Sequence, residues 1–247
     1  MLIWLFLVGW LTSRLALIVR DEPLGSRFLI SLLTLQLLWC WLTLGLSFAS
    51  LSLAGLMLLA LIVPERLLPQ SWLNDGRLAA TLLMLVTLAL LADALPAPVW
   101  QRSFEAWLWN LGMSTAQLTR ALIWLTGFLL VANEANLLIR SLFHRFSLEP
   151  RLTANSDADG DDSQTQVDAR EYNAGRVIGI LERWLMYLVL VSSANYNVIA
   201  IIIAAKGFAR FRQLEERAFA EYVLIGTLAS TLVTIGIAES LRSILSQ

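Results

Sequence analysis

From Phe28 to Val63 the chain runs through 36 successive residues without an Asp, Glu, Lys or Arg. As a helix rising 1.5 Å per residue, this run is about 54 Å long, against about 30 Å for the hydrocarbon core of a bilayer. A helix of a soluble domain is apolar along one stripe only, so a run of this length is excluded from one. It predicts two membrane crossings, with the small-residue stretch Ser47–Ser52 as the turn between them. The rest of the chain agrees: 57% of its 247 residues are hydrophobic, 15% are charged, and the mean hydropathy is +0.67. Soluble domains run about 45–50% apolar and about 25% charged. The predicted fold class is all-α, a polytopic transmembrane helical bundle whose first partner is the lipid bilayer.

Other runs place the remaining spans. MLIWLFLVGW has no basic n-region and no small-residue cleavage site, so it reads as the start of a retained span from Leu2 to Val19. Arg14 and Arg20 lie near its far end, and Arg14 is expected to snorkel. The charged turn RDEPLGSR (20–27) follows. Pro64, Glu65 and Arg66 close the third span. Leu78–Leu95 is the fourth, stopped by Asp93, Pro96 and Pro98. The segment 99–112 mixes Trp100, Trp107 and Trp109 with Arg102 and Glu105, the pattern of an interfacial helix at headgroup level. A fifth span runs from Leu118 to Ile139. Residues 1–146 thus form a five-span N-terminal block. Residues 147–173 form an acidic cytosolic linker of low apolar content, and 174–247 a C-terminal membrane block.

In that block, Val177–Ala205 is interrupted by SSANYN (192–197). It is either one tilted helix or a hairpin turning at Ala194–Asn197. Basic residues accumulate in cytoplasmic loops. A hairpin, with eight passes and both termini outside, puts 15 of the 18 basic residues inside, whereas a single crossing puts 12 there. Eight passes are therefore expected, with seven as the alternative, periplasmic termini and a cytoplasmic linker. The last span is Tyr222–Ile237.

Ionisable groups at membrane depth are candidate functional sites, each with a partner to be found. Glu134, flanked by Asn133 and Asn136, either pairs near the inner interface or serves a proton or ion. Gly175 and Gly179 share a helix face and suit close helix packing. Lys206 and Arg210 point the same way, as do Arg217 and Glu221. Glu134, Glu182, Arg183, Lys206, Arg210 and Glu221 are expected to converge at the inner leaflet. They form either a salt-bridge layer between helices or an anion site in which Lys206 and Arg210 hold the ligand. An anionic lipid headgroup is a fitting occupant of such a pocket. Asn195, Tyr196 and Asn197 serve the hairpin turn, where Asn is a natural residue, or line a pore mouth.

Several chemistries are excluded. Cys40 and His144 are the only residues of their kinds, so no disulfide within the chain and no paired Cys or His metal site is available. Asp157, Asp159, Asp161 and Asp162 fail the EF-hand pattern, with Gly at position four and no Glu at twelve. There is no nucleophile elbow and no phosphate-binding Gly loop. No cofactor is expected, and the charge distribution gives no footprint for nucleic acid.

GRVIGILER (175–183), AIIIAAKGFARF (200–211), AEYVLIGTLAS (220–230) and LLIRSLF (137–143) resemble a family of uncharacterised bacterial inner-membrane proteins, a domain of unknown function. The resemblance covers about 137–237, while the first 136 residues match no family pattern. It implies a bacterial cytoplasmic membrane and one recurrent unit containing Glu182, Arg183, Lys206, Arg210, Glu221 and Tyr222, and it implies no activity. The leading reading is a non-enzymatic membrane module that forms a homo-oligomer or binds a membrane partner. A channel or transporter using the inner-leaflet charges, and a lipid-phosphate-handling enzyme using Glu134 or Glu182 with arginines, are the alternatives.

Overall fold

The computed structural model describes residues 1–17, 23–95, 98, 100–146, 169–215 and 217–246, and every element among them is helical. The helices are α1 (Leu2–Arg14), α2 (Ser26–Leu44), α3 (Phe48–Ile62), α4 (Leu73–Leu90), α5 (Gln101–Asn110), α6 (Thr115–Leu129), α7 (Ala135–Arg145), α8 (Ala169–Ser193), α9 (Tyr196–Ala209) and α10 (Arg217–Leu245). Two π-helical segments, Val63–Leu67 and Leu130–Glu134, extend α3 and join α6 to α7. Arg20, Pro96 and most of the acidic linker, including Asp157, Asp159, Asp161 and Asp162, lie outside the described residues. The linker's expected last residues, 169–173, belong to α8.

Among the described residues five helices are long and apolar enough to cross a membrane: Ser26–Leu44, Phe48–Leu67, Gln70–Leu90, Thr115–Arg145 and Phe219–Leu245. The difference from eight lies mainly in two short elements. Leu2–Leu17 and Tyr196–Ala209 are apolar but brief, and α9 at 14 residues is only about 21 Å long. α8, 25 residues long, carries Arg176, Glu182 and Arg183 among its first fifteen residues.

Local chemistry explains the breaks. The turn between α2 and α3 falls at Gly45, not across Ser47–Ser52. Gly45 takes φ 65°, a left-handed conformation open to glycine. Ser47 then caps α3, accepting from the Ser50 N–H while Ser50 reaches back in a capping box, so residues 48–52 are helical. Pro64 does not end the third span; the chain continues as a π turn to Leu67. Val177–Ala205 is two helices, broken at Ala194 (φ 50°) with Asn195 as N-cap of α9.

Three apolar clusters fill the bundle, the smallest of them Leu17, Leu24, Leu29, Leu32 and Leu61. Phe6, Trp10, Leu11, Leu53, Met57 and Met84 fill the space among α1–α4. Ile123, Val131, Met186, Tyr187, Leu190 and Leu241 fill the space among α6, α8 and α10. Phe48, Leu90, Leu38 and Ile30 point outward, the arrangement suited to lipid as solvent.

Candidate functional site

Two glutamates, each on a π turn, organise a polar layer inside the bundle. Glu134 ends the segment Leu130–Glu134. Its carboxylate accepts from Arg14 Nε at 2.9 Å and Nη2 at 3.4 Å, from Thr81 Oγ1 at 2.9 Å and from Asn133 Nδ2 at 2.7 Å. Arg14 Nη2 also donates to the Arg77 carbonyl at 3.0 Å. Glu65, on the π turn after α3, accepts from Arg77 Nε at 2.7 Å and from the Leu24 N–H at 2.7 Å. Arg14 and Arg77 are each 1% exposed. Two carboxylates and two guanidinium groups therefore balance in charge, with most of their hydrogen-bonding capacity met, as burial of ions requires. The layer ties α1, α4 and both π turns together.

This corrects the expectation for Arg14, which does not snorkel. Its guanidinium is turned inward because a carboxylate waits there. Glu65 and Arg77, absent from the sequence-based candidates, are the second pair. Below this layer Asp75 at the start of α4 accepts from Ser141 and, at 2.8 Å, from Arg145, whose guanidinium lies 5.5 Å from the Trp72 ring centroid.

The six residues expected to converge are divided among several places. Glu134 belongs to the Arg14 layer. Glu182 on α8 pairs with Lys206 on α9 at 2.5 Å, so Lys206 is committed to a carboxylate. Arg183 donates through Nε to the Val131 carbonyl at 2.7 Å, with Nη1 3.5 Å from Ser230 Oγ. Arg210 stands at the end of α9, its Nη2 3.8 Å from where a Cβ on Gly175 would lie. Arg217 and Glu221 make an exposed pair at 2.9 Å on α10. Lys206 and Arg210 thus do not act as one anion clamp.

Asn195 Oδ1 accepts from the Asn197 N–H at 3.1 Å, a side-chain turn, and the Tyr196 hydroxyl donates to Glu239 at 2.6 Å. Gly175 and Gly179 face only the ends of arginine side chains, not another backbone. The tight helix contacts are elsewhere: Gly127 lies under Tyr187, Gly9 under Trp39 and Gly226 under Phe143. In the Trp-rich helix α5, Trp107 and Trp109 are exposed, and Trp100 at its N-cap donates to the Leu42 carbonyl at 2.7 Å.

Two spaces adjoin these groups. A cavity of about 10 Å³ lies among α8, α9 and α10, lined by Glu182, Lys206, Thr227, Ser230 and Thr231 together with apolar side chains. A larger cleft of about 600 Å³ opens outward between α1 and α2, over Val8, Gly9, Ser13, Leu35, Gln36 and Trp39. Gln36 is buried at its floor, donating to Ser13 Oγ at 2.9 Å and leaving its carbonyl oxygen unpartnered. Among the described residues no three His, Cys, Asp or Glu side chains group as a metal site. No protein-family model matches the chain, and neither any curated protein nor any solved structure matches it.

Proposed function

We propose that the chain is a non-enzymatic membrane module that assembles with a second copy or with a helix of a membrane partner through the α1–α2 cleft. The observation that carries this reading is the cleft itself. It opens outward, is lined mainly by apolar side chains of α1 and α2, and has the small residues Ser13, Ala16 and Ser31 on its walls. Small residues permit a helix to approach closely in lipid. The inward pairing of Arg14 with Glu134 and of Arg77 with Glu65 fits a framework held rigid behind that cleft.

Eight passes with periplasmic termini in a bacterial inner membrane belong to the same proposal. Its support is the alternation of helix directions. Phe6 and Ser13 on α1 meet Trp39 and Gln36 on α2 in antiparallel order, and Thr81 and Asp75 on α4 meet Glu134 and Arg145 likewise. Glu182–Lys206 and Tyr196–Glu239 continue the alternation through α8, α9 and α10.

A photoreactive residue at Ser31, on the cleft wall, tests the reading in intact membranes. The expected product is a cross-linked dimer or a defined hetero-complex, lost when Ser13→Phe fills the cleft. Monomer alone after illumination contradicts it.

A further inference from the structure

Where α8, α9 and α10 meet, an ion pair has hydrogen-bonding capacity left over. Lys206 Nζ donates to Glu182 Oε2 at 2.5 Å, and among the described residues neither side chain makes a second hydrogen bond. An ammonium carries three N–H groups and a carboxylate accepts on two oxygens, so most of the capacity at both ends is unused. Both side chains are 18% exposed, and lipid would offer them no hydrogen bond. Across from them on α10 stand Thr227, Ser230 and Thr231, three and four residues apart and hence on one helix face. The Thr227 hydroxyl is buried and unpartnered, and the Ser230 hydroxyl has only the long contact of 3.5 Å from Arg183.

The small cavity lies between these groups, bounded by Glu182, Lys206, Thr227, Ser230 and Thr231 and otherwise by apolar side chains. At about 10 Å³ it has room for one body the size of water, which excludes a lipid phosphate or an organic ligand. Charge narrows the choice further. An anion would lie against the Glu182 carboxylate and a cation against the Lys206 ammonium, whereas the pair taken together is neutral. A neutral molecule that both donates and accepts suits every polar wall at once. A buried water needs two to four such partners, and the cavity offers the two ends of the ion pair and the hydroxyls of α10.

We propose that this junction binds one structural water, held between the Glu182–Lys206 pair and the α10 hydroxyls. It accepts from Lys206 and donates to Glu182, and its remaining valences serve the hydroxyls. The water ties the C-terminal part of α9 to α10, as the Tyr196–Glu239 hydrogen bond ties its N-terminal end. α9 needs such ties, because Ile199 is its one buried side chain. The proposal does not depend on what occupies the α1–α2 cleft.

Solid-state NMR of the full chain in phosphatidylcholine bilayers with perdeuterated acyl chains tests it, by following magnetisation transferred from water protons to Ser230 and Thr231. We expect a build-up several-fold faster at these two residues than at Thr126, whose hydroxyl is also buried but donates to the Leu122 carbonyl. The double variant Glu182→Met with Lys206→Met removes both charges of the pair, so neither is stranded. It should slow the build-up at Ser230 and Thr231 to the rate at Thr126. If the double variant does not fold, the wild-type comparison alone decides. Wild-type Ser230 and Thr231 as slow as Thr126 would show a dry junction and overturn the assignment. A folded double variant with an unchanged build-up would overturn it as well, because the pair would then not be what holds the water.

Discussion

Arg183 donates to the main-chain carbonyl of Val131 at 2.7 Å, 52 residues away in sequence, and so fastens α8 to the π turn between α6 and α7. A π turn interrupts the regular helical ladder, which leaves its carbonyls open to a lateral donor. The same turn presents Glu134 on its other side to Arg14. One distorted turn therefore joins the N-terminal and C-terminal helices.

Arg183→Lys keeps the charge but loses the planar fork that serves Val131 and Ser230 together. The expected outcome is a destabilisation of roughly 2 kcal/mol, read as a lower melting temperature in detergent. A lysine variant as stable as the wild type would show that the geometry of the guanidinium is immaterial.

The glycines separate by what faces them. A Cβ on Gly127 would collide with the Tyr187 ring, whereas one on Gly175 meets only an arginine nitrogen at 3.8 Å. Gly127→Ala should destabilise by about 1–3 kcal/mol through overpacking. Gly175→Ala should be neutral or stabilising by up to about 1 kcal/mol from helix propensity. Paired melting curves check the difference, and equal effects would contradict it.

Much of the scaffold was readable from apolar run lengths, because lipid demands them. SSANYN gave away the break at Ala194 through its turn chemistry. Partners were not readable. Glu134 announced itself as a buried carboxylate, but its cation, Arg14, lies 120 residues upstream, where periodicity carries no information. Glu65 was hidden by its neighbours Pro64 and Arg66, which look like the end of a span. Only the π continuation turns it inward toward Arg77. Spacing likewise marked Gly175 and Gly179 but could not show that large rings back Gly127 and Gly226 instead.

Depth can be read directly. A nitroxide at Trp109, on the exposed face of α5, should report the headgroup level, and one at Leu83, exposed midway along α4, the centre of the bilayer. Equal accessibility of the two to a water-soluble relaxation agent would remove α5 from the interface.

Sidedness is accessible because Cys40 is the sole cysteine and is buried. In a Cys40→Ala background, Met113→Cys should react with a membrane-impermeant maleimide from the periplasmic side. Arg212→Cys should react only after permeabilisation. Reversed labelling would invert the proposed orientation.

The central claim is that the buried charges clamp the helices to one another. A double-mutant cycle on Arg14 and Glu134 tests it most directly, by melting temperature in detergent. Arg14→Met and Glu134→Met should each cost about 3–5 kcal/mol, because each strands an opposite charge in the interior. The double variant should recover most of that loss. A double variant as unstable as the sum of the two single ones would contradict the clamp.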